Sequence, residues 1–103
     1  VDAEKVLAAR RYFGDGAVTV AVIDPLLADN TAAFAITGSG AEPTNRRPDL
    51  HVGVAGLAAV LLGGSTWRAL AVAGLARAED AAAVEVADRL FAVPDAPYAG
   101  FFF

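Results

Sequence analysis

Few side chains here could do chemistry. His51 is the only histidine, and cysteine is absent. A lone imidazole cannot supply the several His or Cys ligands of a zinc site, and without thiols there is no thiolate chemistry and no disulfide. In Leu50-His51-Val52-Gly53-Val54 the histidine alternates away from its apolar neighbours, which predicts that it faces solvent or a sheet edge. Asp24, Asp29, Asp49 and Asp80 each stand where a strand ends or a helix begins, so capping or turn formation accounts for all of them. Ser65-Thr66 has no neighbouring base to activate a hydroxyl and reads as a helix cap. Gly63-Gly64-Ser65-Thr66 superficially resembles a phosphate loop, but no lysine follows and no strand leads into it. No catalytic constellation, metal site or cofactor site emerges.

The C-terminal segment is different. Phe91-Ala-Val-Pro-Asp-Ala-Pro-Tyr-Ala-Gly-Phe-Phe-Phe holds two prolines and a glycine, so it is not helical. Disordered tails are poor in aromatics. A tail ending in Phe101-Phe102-Phe103 should dock on something, taking its free carboxylate with it.

The elements that would position these residues centre on residues 48–74. Leu50, Val52 and Val54 alternate as in a strand, Leu57, Val60 and Leu61 follow helical spacing, and Gly63-Gly64 stops that helix. Ser65 is placed to cap a second helix carrying Trp67, Leu70 and Ala71, closed by Gly74. Upstream, a helix over 3–12 is capped by Asp2 and has Arg10-Arg11 in its last turn. Residues 17–23 read as a strand covered on both faces, ended by Asp24-Pro25. Residues 31–37, with Phe34 and Ile36 on one face, form its antiparallel partner, and 42–46 a short polar edge strand. A last strand over 75–79 precedes a helix from the Asp80 cap to 92, with Val84, Ala87 and Phe91 inward and Glu85, Asp88 and Arg89 outward. Elements grouped in this way give an α+β class: a roughly five-stranded mixed or antiparallel sheet with helices on one face.

At 103 residues the chain suits one domain, residues 1–103. No apolar run approaches the ~20 residues of a membrane span, and no signal peptide is visible, so the expected location is cytoplasmic. A net charge of −4 without a large basic cluster disfavours nucleic acid as a partner. The chain starts at Val1 and contains no methionine, which suggests a piece of a larger protein. From the residues alone two classes of function stay open: a carrier of an apolar ligand held between sheet and helices, or a structural module serving another domain.

Asp24-Pro25-Leu26-Leu27 with Asp29-Asn30, Pro48-Asp49-Leu50, Leu62-Gly63-Gly64, Ala87-Asp88-x-Leu90-Phe91 and Ala96-Pro97-Tyr98-x-Gly100 before a terminal Phe occur in one ordered set. That set resembles the C-terminal domain of the Eis-type (enhanced intracellular survival) N-acetyltransferases over essentially the whole chain. The chain departs from the family at Ala41 and Ala99, near or at positions where members often carry Cys, and in its three consecutive terminal Phe.

The resemblance implies a sterol-carrier-protein-like fold preceded, in a bacterial parent, by two GNAT-like regions that hold acetyl-CoA and acetylate amines of aminoglycoside or lysine type. It implies a GNAT partner in the same chain, a homo-oligomeric parent, and an inactive isolated domain. It also carries the general-base role onto the Phe103 carboxylate, with Tyr98, Phe101 and Phe102 lining the substrate channel. An ordinary α-carboxylate has a pKa of ~3.5, and apolar burial would raise it towards a useful base. The alternative is a stand-alone sterol-carrier-like domain binding a lipid or other apolar ligand.

Overall fold

The computed structural model describes residues 3–23 and 31–92. In order they form α1 (Ala3–Ala9), β1 (Ala17–Ile23), β2 (Thr31–Thr37), β3 (Gly40–Pro43), β4 (Leu50–Gly53), α2 (Val54–Leu61), α3 (Trp67–Ala73), β5 (Ala76–Ala78) and α4 (Ala81–Leu90). The five strands make one sheet in the order β3-β2-β1-β4-β5. All neighbours are antiparallel except β1 and β4, which run parallel, so the sheet is mixed.

Register decides which side chains share a face. Val18 lies opposite Ile36, Val20 opposite Phe34 and Leu50, Val22 opposite Val52, and Val52 opposite Ala76. All are buried in one cluster with Leu7 of α1, Leu57 and Val60 of α2, Trp67 and Leu70 of α3, and Ala87 and Leu90 of α4. The four helices therefore pack on the same face of the sheet. On the opposite face Thr19 and Ala21 are also buried, which explains why β1 shows an unbroken inner run rather than a half-polar one. Trp67 is fully enclosed, with its ring edge-on to Phe91 at 5.3 Å. Burying a large apolar side chain contributes ~1.5–3 kcal/mol, so this cluster is the main stabilising term.

Glycine sets both helix ends of the α2–α3 hairpin. Gly63 and Gly74 adopt φ of 78° and 79°, in the left-handed region that costs other residues ~1–2 kcal/mol. Gly64 N–H then donates to Ala59 O at 2.9 Å, and Leu75 N–H to Leu70 O at 2.8 Å, each closing a Schellman turn.

Four expectations shift. The edge strand lies at Gly40–Pro43 rather than 42–46, because Gly38-Ser39 is a tight turn and pairing resumes at once with Thr37 opposite Gly40. α1 ends at Ala9, since the following residues turn away to pack on α4: Phe13 N–H donates to Leu90 O at 3.1 Å. Thr66, not Ser65, caps α3, its hydroxyl accepting from Ala69 N–H at 3.0 Å. Asp80 caps α4 as expected, accepting from Ala83 N–H at 2.9 Å, but the helix stops at Leu90.

Candidate functional site

The sequence candidates divide into three groups. Tyr98, Phe101, Phe102 and Phe103 lie outside the described residues, as do Asp2, Asp24 and Asp29. Asp49 and Asp80 are structural. Asp49 extends the β1–β4 pairing: its carboxylate accepts from Thr19 N–H at 2.9 Å, its own N–H donates to Thr19 O at 2.7 Å, and its carbonyl accepts from Glu79 N–H. His51 is the third case. It sits on β4 between Ala21 of β1 and Arg77 of β5, so it is not at an edge, and it is half-buried with Nδ1 enclosed and unpartnered. Among the described residues no group of three or more His, Cys, Asp or Glu could hold a metal ion.

Two polar side chains whose roles were not legible in the sequence join the helices. Asp88, expected to point outward, instead turns to the start of α3: its carboxylate accepts from Trp67 N–H at 2.7 Å and Arg68 N–H at 3.2 Å. Those N–H groups have no intrahelical partner, and a negative charge there complements the helix dipole. Arg10 was expected to complement the end of its own helix. It reaches the ends of two others, donating from one guanidinium nitrogen to Leu61 O at 2.7 Å and from another to Phe91 O at 2.6 Å. The guanidinium also lies 5.6 Å from the Phe91 ring centre. Beside it Tyr12 is buried, its hydroxyl donating to Leu7 O at 2.7 Å, and burial pushes its phenol up to about 12 against a smaller lowering by Arg10.

Asp88 and Phe91 also line a surface cleft of about 330 Å³, together with Val60, Gly63, Ser65, Thr66 and Ala92. It lies where α4 ends and the C-terminal segment begins. The interior between sheet and helices is filled instead by Trp67, Leu57, Val60, Leu70, Leu50 and Val52.

The profile of the sterol carrier protein domain family matches residues 3–100. The chain belongs to the sterol carrier protein domain family. Among solved structures, this sterol carrier protein domain superimposes on Eis1 from Mycobacterium abscessus with a TM-score of 0.83 and 41% identity, covering 89% of this chain and 24% of that one. It also matches a GCN5-related N-acetyltransferase from Anabaena variabilis, with a TM-score of 0.74 and 27% identity over 89% of this chain and 25% of that one. A third match is a GCN5-related N-acetyltransferase from Kribbella flavida, at 0.67 and 30% over 87% and 24%. The domain thus spans about a quarter of the length of the structures it matches. Sequence comparison with curated proteins found no match. The sterol-carrier-like α+β fold and the likeness to the domain of Eis-type acetyltransferases are as the sequence motifs implied. Among the described residues, no helix is long and apolar enough to cross a membrane.

Proposed function

We propose that this domain is the C-terminal accessory domain of an Eis-like, acetyl-CoA-dependent N-acetyltransferase acting on amines of aminoglycoside or lysine type. The observation that carries the reading is the 41% identity and TM-score of 0.83 to a quarter-length portion of an Eis protein. The described residues bear no constellation of their own, which suits a module whose chemistry resides elsewhere. Acetyl-CoA would bind in the GNAT regions of the parent. The interior filled around Trp67 favours an accessory module over a carrier, which needs a pocket of ~300 Å³ or more between sheet and helices.

In this reading the domain's contribution to the reaction is the Phe103 carboxylate, carried by the segment that follows α4 in the chain. A carboxylate placed next to an acceptor ammonium takes up its proton, leaving the amine free to attack the acetyl carbonyl of acetyl-CoA; the C–S bond breaks, CoA leaves as thiolate and takes up the second amine proton, and Phe101 and Phe102 supply an apolar wall that raises the carboxylate's basicity. The test uses the full parent chain: delete Phe103, or extend the chain beyond it, and measure kcat with acetyl-CoA and an amine acceptor. A general base predicts a loss of ~10²-fold or more with folding intact. Unchanged turnover would reduce the tail to packing.

A further inference from the structure

A surface helix of an ordinary soluble domain carries charge on its outer side. α4 does so, with exposed Glu85 and Arg89. α2 does not. Val54-Ala55-Gly56-Leu57-Ala58-Ala59-Val60-Leu61 contains no polar side chain, and the run without one extends over residues 52–64. Leu57 and Val60 face the core, while Ala55 and Ala58 are exposed on the opposite side, with Ala59 half-buried beside them. Leu62 follows at 86% exposure.

The surface continues onto α3. A Cβ added at Gly56 would lie 3.5 Å from a Leu70 methyl and 3.7 Å from the Leu75 carbonyl, so Leu70 of α3 and Leu75 just beyond its glycine cap lie beside α2 at that point. Val72 and Leu75 stand out at 83% and 62% exposure. A helix that is apolar all round is one built to be covered on both sides, and a contiguous apolar patch marks a contact surface.

We infer that the outer face of α2, with Val72 and Leu75, is the dock for the acetyltransferase region of the parent chain, an inference that rests on the reading above. Two observations choose this occupant. The matched chains are about four times as long as this domain, so most of their polypeptide lies outside it and is tethered to it. The patch itself is small: Ala55, Ala58, Ala59, Leu62, Val72 and Leu75 fall well short of the ~20–30 residues a side of a stable free complex. A second copy meeting it from solution would be weakly held. A tethered neighbour is present at roughly millimolar effective concentration, and a small apolar contact then suffices. The alanines let the partner backbone approach closely, and the larger residues at either end seat in its surface.

The test is thiol alkylation of the full parent, read site by site by mass spectrometry. Leu62→Cys in the folded parent should react about ten-fold slower than a Glu85→Cys control, and equally fast in denaturant, because reactivity follows exposure. Ala58→Cys should repeat the protection. Equal rates at 62 and 85 in the folded parent would overturn the inference. Protection that disappears on dilution would overturn it in favour of a second copy. Acetyl transfer measured on the same samples reports separately on the enzymatic reading: a protected but inactive parent keeps the dock and rejects the activity.

Discussion

Arg10→Ala should be among the most damaging single changes in this domain, although Arg10 is neither fully buried nor catalytic. It removes the bonds to Leu61 O at 2.7 Å and Phe91 O at 2.6 Å, which hold the C-terminal ends of α2 and α4 together from the residue that follows α1. A hydrogen bond involving a charged group is worth ~1.5–3 kcal/mol, and the guanidinium over the Phe91 ring adds ~0.5–1. Water partly replaces the lost bonds at a half-buried site, and the freed side chain regains up to ~2 kcal/mol of rotamer entropy. The net expected loss is ~3 kcal/mol, against a total stability of ~5–15 for a domain. At ~4–8 °C per kcal/mol for this size, the melting temperature should fall by ~12–24 °C. Arg10→Lys keeps the charge but cannot span both carbonyls with a single ammonium, so it should lose about half as much. Urea unfolding of the three proteins at neutral pH, at low and high salt, measures this. A loss below ~1 kcal/mol in Arg10→Ala would refute the argument. Wild-type stability in Arg10→Lys would show that charge near the helix ends, rather than a two-pronged bond, is what matters.

Two further outcomes follow from the same region. An unfolded tyrosine ionises near ~10 while Tyr12 in the fold is pushed up to about 12, so above pH ~10 the unfolded chain gives up its proton first. The stabilisation is complete below that pH and declines as pH rises towards 12; urea midpoints should fall more steeply there than in Tyr12→Phe, and parallel curves would reject the idea. Asp88→Ala strips two N–H acceptors from the start of α3 and should cost ~1–2 kcal/mol, with Asp88→Asn losing less; an unchanged denaturation midpoint would show that water caps α3 equally well.

Local rules explain why some elements were legible. Val18, Val20 and Val22 alternate, Gly63 and Gly74 stop helices by backbone freedom, and Asp80 caps through its own helix; each signal spans a few residues. Errors arose where a partner is distant in sequence. Asp88 serves a helix that starts 21 residues earlier, and Arg10 reaches a carbonyl 81 residues away, so neither role leaves a trace in the neighbouring sequence. For His51, alternation gives a face but not a position in the strand order, so its place between β1 and β5 leaves no local signal. Tyr98 and Phe101 to Phe103 are candidates through motif resemblance alone and lie outside the described residues, since the chemistry of a terminal carboxylate depends on what surrounds it.

The parallel pairing of β1 with β4 has a consequence for the order of assembly. β1, β2 and β3 follow one another as a meander closed by near neighbours, whereas Val20 pairs with Leu50, thirty positions further along the chain. Non-local closure of this kind is slow relative to hairpin formation. Whenever β4 is detached, during synthesis or in a local opening, β1 becomes an edge. Its sequence Ala-Val-Thr-Val-Ala-Val-Ile contains no charge and no proline, the devices by which edges avoid pairing with other chains. The finished sheet ends instead on the short β5 and on β3 with Pro43, so the strand most prone to sticking is the one the completed topology puts in the middle.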